Sequence, residues 1–216
     1  MDMFRYESST IDWCEPNYVY AKGIAEFWNA LSNILFLILG YYGIKYCVIN
    51  KLKSFYYLLF TTYFCIGIFS GYYHSTLSHF GQIMDELCIY FLIILIINKY
   101  FNFNIVYYLV ITPVLLLYPQ YNPLLLYFIG FGIIYILIKM YSKLNKIQKV
   151  ILHYTTVLFV SGACFWIFDY VCMFRNKIHT HFVFHILISV TGFTCIIFFE
   201  DVDNNRNNYD SFYHIV

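Results

Sequence analysis

Seven apolar stretches, at 28–48, 55–74, 82–98, 104–118, 123–140, 150–170 and 180–200, limit what this chain can fold into more than any other feature. A helix needs roughly 20 apolar residues, within a range of about 17–25, to cross the hydrocarbon core of a bilayer. The pattern therefore predicts an all-α membrane protein, a bundle of seven transmembrane helices. Composition agrees. The chain is 61% hydrophobic and 12% charged over 216 residues, whereas soluble domains carry about a quarter charged residues. A chain this short has too little interior to hide so much apolar surface, so lipid is the cheaper solvent. The fourth stretch is the least regular: Thr112-Pro113 predicts a kink, and Pro119 and Pro123 bracket a turn. Short connections make successive helices antiparallel neighbours.

Residues 1–27 contain Asp2, Arg5, Glu7, Asp12, Glu15, Lys22 and Glu26 without an apolar core, so no signal peptide is expected and the first span serves for insertion. Lys and Arg in short loops set orientation. The N-terminal side carries Arg5, Lys22, Arg175 and Lys177. The opposite side carries Lys51, Lys53, Lys99, Lys139, Lys143, Lys146, Lys149 and Arg206, and Lys45 falls inside a helix. The excess assigns the opposite side to the cytosol and the N terminus to the luminal or extracellular side. The expected division is a luminal segment 1–27, a membrane domain 28–200 and a cytosolic tail 201–216, with the Asn-rich run 203–208 mobile. The net charge of +1 gives no sign of nucleic-acid binding, and no obligate protein partner is evident. The aromatic content of 23% suits Tyr at membrane interfaces and equally suits a biased genome. The seven cysteines show no CxxC pair and no disulfide framework, so most are expected to be buried helix residues.

Ionisable groups inside membrane segments are costly and usually functional. Ser70 and His74 are four apart and share a face at the end of the second span. Asp85 follows just inside the third span, after a turn expected at Gly81. His181 and His185, again four apart, open the seventh span on one face, a spacing that suits a shared metal. The topology places the end of span two and the starts of spans three and seven on one side, so His74, Asp85, His181 and His185 share a membrane depth. Three His and a water make a tetrahedral zinc site with an open position, and zinc brings the pKa of such a water to about 7. Asp85 is then the general base that passes the proton to the leaving group, and Ser70 is a donor to the oxyanion. The competing reading of each residue is ordinary: an interfacial His, a helix–helix hydrogen-bonding pair, a helix-start carboxylate. His79, His153, His179 and His214 are expected to be non-ligands. A third polar stretch, Asp12, Glu15 and Asn17 followed by Glu26, offers oxygens to a hard cation such as calcium, with the Trp13 carbonyl as one further candidate. A solvated acidic leader explains the same spacing.

These residues resemble the alkaline ceramidases. The match runs through Asp12-Trp13-Cys14-Glu15-Pro16-Asn17-Tyr18, Ala25-Glu26-Phe27-Trp28-Asn29 and Ser32-Asn33. It resumes at Ser70, His74, Thr76-Leu77, Gln82 and Asp85-Glu86, then at Phe165-Trp166, Asp169, Cys172, His181 and His185 through Ser189. The N-terminal block is specific to that family, and the Ser/His/Asp/HxxxH set is shared by a wider superfamily of seven-helix membrane hydrolases. The resemblance implies cleavage of ceramide to sphingosine and a fatty acid, in endoplasmic reticulum or Golgi membranes. It implies zinc on His74, His181 and His185 assisted by Ser70 and Asp85. It also implies calcium on Asp12, Trp13 through its carbonyl, Glu15, Asn17 and Glu26, and a disulfide between Cys14 and Cys172. Both cysteines fall on the side assigned as oxidising, where such a bond is feasible. The connection from Cys172 to His181 and the C-terminal tail are both short for the family. The alternatives are a related hydrolase acting on an ester-linked phospholipid and a seven-helix receptor with structural zinc, the latter disfavoured by short loops and a short tail.

Overall fold

The apolar stretches are helical wherever the computed structural model describes them, over residues 8–101, 133–174 and 179–206. The helices are α1 (Phe27–Ser32), α2 (Ile34–Ile49), α3 (Ser54–Thr76), α4 (His79–Phe101), α5 (Lys146–Tyr170) and α6 (His181–Arg206). A further helical stretch covers 133–141. Among the described residues there is no sheet, only isolated bridges at Ser8–Ser78 and Ala21–Ile24. Five spans are long and apolar enough to cross a bilayer: Phe27–Ile49, Ser54–Thr76, His79–Lys99, Lys146–Tyr170 and His181–Asn204. The chain is an integral, all-helical membrane protein. Of the two other expected spans, 104–118 lies outside the described residues, and 123–140 is described only from 133, where it is helical.

Several boundaries differ from the sequence reading, each for a local reason. The first span breaks at Asn33, whose N–H bonds the Ala30 carbonyl at 3.3 Å. The turn between α3 and α4 falls at Leu77–Ser78, not at Gly81. Leu77 takes a left-handed conformation (φ 48°), and Ser78 Oγ accepts from Gly81 N at 3.1 Å. Gly81 sits inside α4, where a Cβ would lie 2.9 Å from Tyr73 Cα, so its lack of a side chain lets α3 and α4 close tightly. α5 begins at Lys146 because Asn145 and Gln148 form a reciprocal capping box. The run expected as a mobile tail is helical through residue 206. Asp203 is buried there and pairs with Lys99 and the Tyr56 hydroxyl, which fixes the last turns of α6 against α3 and α4.

α3 packs against α1, α2, α4 and α6, and α5 packs on α6. The core follows α3, with Tyr56, Leu59, Phe60, Tyr63 and Ile66 set against Phe36, Ile196 and Phe199. At Gly40 a Cβ would stand 2.9 Å from Phe64 Cα; small residues of this kind let membrane helices approach closely. The cysteines depart from expectation. Cys47 is buried, Cys65, Cys88 and Cys195 are half-buried, and Cys164 is exposed. A membrane helix turns its outer face to lipid, so an apolar thiol there needs no protein cover.

Residues 8–26 form no span and are laid across one end of the bundle. Ser9 N bonds Leu77 O at 2.8 Å, Ala25 N bonds Ser75 O at 2.9 Å and Glu26 N bonds His74 O at 2.9 Å. Thr10 donates twice to Gln82 Oε1 on α4. Trp13, Ala25, Tyr73 and Leu77 make a small second core under the strap. A disulfide joins Cys14 to Cys172, just beyond α5, with Cα atoms 5.6 Å apart.

Candidate metal centre and active site

The strap covers the end at which α3 finishes and α4 and α6 begin, which puts three imidazoles from two helices into one buried space. His74 is on the last turn of α3, and His181 and His185 are on the first two turns of α6. One ring nitrogen from each lies within 4.8 Å of the others, and all three residues are buried. The ring centroids are 4.5–5.0 Å apart. His79, His153 and His179 stand outside this group, and His214 lies outside the described residues.

Each ring is held from behind. His74 Nδ1 meets Glu26 Oε2 at 2.5 Å. His185 Nδ1 lies 2.8 Å from Ser32 Oγ and 3.1 Å from the Asn29 carbonyl. The nitrogen left on each of those two rings is Nε2. His181 is stacked on the Trp13 indole, with centroids 3.8 Å apart, and its Nδ1 is buried without a hydrogen-bond partner. Asp169, buried near the end of α5, accepts from Thr180 N and Oγ1 at 3.1 and 3.2 Å and from Cys14 N at 3.3 Å. It therefore ties the start of α6, immediately before His181, to the strap. Ser70, one turn before His74, faces the Asp85 carboxyl, whose Oδ1 is buried without a hydrogen-bond partner. Buried polar atoms without partners are costly. Here His181 Nδ1 and Asp85 Oδ1 are left open at the end of the bundle that holds the three imidazoles. That donor set, with hydrogen bonds behind two of the three rings, fits a zinc ion and a water.

The acidic stretch is arranged differently. Glu15 accepts from Trp28 N at 2.7 Å and Asn29 N at 2.9 Å, so it caps α1 from a distance. Glu26, the residue preceding α1, makes no cap bond. Its Oε1 instead accepts from Trp13 N at 2.9 Å, and its Oε2 also takes Asn29 Nδ2 at 3.0 Å. Burial pushes the Glu15 carboxyl up, and the Glu26 carboxyl up to about 7. Burial, and behind it the charge of Glu26, push the Asp12 carboxyl up. Asn17 Nδ2 lies 3.1 Å from both Asp12 oxygens. Turning that amide over presents its oxygen instead. Among the described residues the carboxylates of Asp12, Glu15 and Glu26 do not close on one point as the three imidazoles do, and the Glu15 and Glu26 oxygens are taken by N–H groups and His74. Sequence reasoning missed Glu26 as the partner of His74, and it missed Asn29 and Ser32 behind His185. The signal was the polar run Asn29, Ser32 and Asn33 inside an otherwise apolar span.

Comparison with known proteins decides the family. A family model described as Ceramidase matches residues 5–216. The chain belongs to the ceramidase family. As a ceramidase it is a hydrolase. It is similar to human alkaline ceramidase 1, with 33% identity over 213 residues, covering 88% of this chain and 81% of the human protein. Mouse alkaline ceramidase 1 is 31% identical over 213 residues, covering 88% of this chain and 78% of its own length. The alkaline ceramidase YPC1 of Saccharomyces cerevisiae is 40% identical over 80 residues, 37% of this ceramidase and 25% of the yeast chain. Those 80 residues are a minor part of either protein, so the two mammalian relatives carry the weight of the comparison.

Proposed function

We propose that this ceramidase hydrolyses the amide bond of ceramide within the membrane, releasing sphingosine and a fatty acid, with His74, His181 and His185 holding a catalytic zinc. The observation that carries the reading is the burial of three imidazoles together at one end of an apolar bundle, the end at which α4 also brings in Asp85 with a buried, open carboxyl oxygen. Zinc supplies Lewis acidity, polarising a carbonyl and acidifying water. Asp85 takes the proton from the attacking water as a C–O bond forms at the amide carbon. It then returns that proton to nitrogen as the C–N bond breaks, so one water is consumed and an acid and an amine leave. Ser70 orients Asp85 through its one hydroxyl proton, which it can turn to the developing oxyanion once Asp85 holds the proton from water. Glu26 and the Asn29–Ser32 pair keep two of the rings turned inward.

Product analysis of the purified full chain tests this. Sphingosine and fatty acid are expected in equal amounts from ceramide, with loss on zinc chelation and recovery on adding zinc back. Fatty acid released from phosphatidylcholine instead would mark an ester hydrolase, and bound zinc without turnover a receptor-like role.

The same reading places calcium on Asp12, the Trp13 carbonyl, Glu15, Asn17 and Glu26, where it offsets the repulsion between the Asp12 and Glu26 carboxylates and stiffens the strap. Adding calcium is expected to raise the melting temperature of the wild type, and Asp12→Ala should remove that response. An equal response in Asp12→Ala would refute the site. We further place residues 1–27 on the luminal side of an endoplasmic reticulum or Golgi membrane, with 28–200 as the membrane domain and the residues after 200 on the cytosolic side. The Cys14–Cys172 bond supports this, since disulfides persist in oxidising compartments. Protease protection of the two ends in sealed microsomes checks the orientation.

A further inference from the structure

We propose that the break between α1 and α2 fixes the working tautomer of His185, with Asn29 and Ser32 as its positioning residues. In an unbroken helix the Asn29 carbonyl would accept the N–H of residue 33. Here that N–H bonds Ala30 O instead, and the Asn29 carbonyl gathers other donors: Ser32 Oγ at 2.8 Å, Asn33 Nδ2 at 2.9 Å and His185 Nδ1 at 3.1 Å. A carbonyl oxygen can only accept, so Nδ1 of His185 carries the proton. Ser32 fits the same arrangement: with its hydroxyl proton on Asn29 O at 2.8 Å, its oxygen is free to accept from Nδ1, also 2.8 Å away. Two oxygens thus hold Nδ1 as the donor, the Asn33 amide nitrogen 3.4 Å away being bonded more closely to the Asn29 carbonyl at 2.9 Å, and the Nε2 lone pair is left as the ligand atom. The break costs α1 and α2 a helical hydrogen bond inside an apolar span, and the freed acceptor is spent on one imidazole of the cluster. His74 receives the same treatment from a carboxylate, Glu26. His185 receives it without adding a charge.

This inference rests on the zinc reading, so its test separates the two. Full-length protein in detergent is loaded with zinc and challenged with a chromophoric chelator. Ser32→Ala is expected to surrender zinc about ten-fold more readily, the low end of the range for losing a partner behind a metal ligand. Ser32→Thr, which keeps the hydroxyl, should hold zinc as the wild type does. Should the alanine variant not be recovered folded, Ser32→Cys, a weaker acceptor of similar size, is expected to shift in the same direction. His185→Ala is the reference. If His185→Ala holds zinc like the wild type, the metal reading itself fails. If His185→Ala loses zinc while the Ser32 variants without a hydroxyl retain it fully, only the positioning role is overturned. Equal loss in Ser32→Thr and Ser32→Ala also overturns it, because the effect would then be steric.

Discussion

Replacing His185 with alanine is expected to strip the metal and take ceramide hydrolysis to background, a loss of at least about 10³-fold, while the bundle still inserts. A catalytic zinc site needs three protein ligands, and among the described residues the only buried group of this kind is His74, His181 and His185. With one imidazole gone, two nitrogens remain and the ion has no closed seat. Several kcal/mol of Lewis-acid assistance leaves with it, and each 1.36 kcal/mol is a factor of ten in rate. The substitution also empties space beside Phe36 and Phe184, whose rings lie 6.4 and 5.6 Å from the imidazole. A cavity of that kind costs about 2–5 kcal/mol, so loss of activity alone would be ambiguous. Zinc content by mass spectrometry and the melting temperature settle it. Inactivity and an empty site at temperatures below the variant's own, lowered melting transition support the assignment. A variant with normal zinc and normal turnover would remove His185 from the centre.

The parts legible in the sequence were those that a periodic pattern or a misplaced polar group can carry. His181 and His185 could be paired because helical spacing is fixed, and His74 could be joined to them because alternating spans put three helix ends on one side. What was not legible depends on contacts between distant segments. Nothing in the spacing of Glu26 and His74, 48 positions apart, announces that their side chains meet, because the strap that brings them together is irregular and held by backbone bonds to α3. The Asn33 break was hidden for a related reason. Asn29, Ser32 and Asn33 are tolerable helix residues one at a time, and only the imidazole arriving from α6 makes the freed carbonyl worthwhile. The helical tail was misread because Asn and Asp favour turns when exposed, whereas Asp203 is buried against Lys99 and Tyr56.

Asp85→Asn should separate the proton-transfer role from metal binding, and it is the second large expected effect. Asparagine keeps the size of the side chain, and its amide oxygen can still accept from Ser70, which faces the carboxyl. It cannot take a proton from water. A positioned general base contributes typically about 10²–10⁴-fold, so turnover is expected to fall by that factor with zinc content and melting temperature unchanged. The loss should sit in kcat with KM little altered, because the proton moves only as the reaction proceeds. Ser70→Ala should cost less, since Asp85 would keep its carboxylate and lose one orienting donor. If Asp85→Asn lost zinc in proportion to activity, the carboxylate would be a ligand and the base would have to be sought elsewhere. If it kept full turnover, the open oxygen of Asp85 would have no part in moving the proton, and the base would have to be another group.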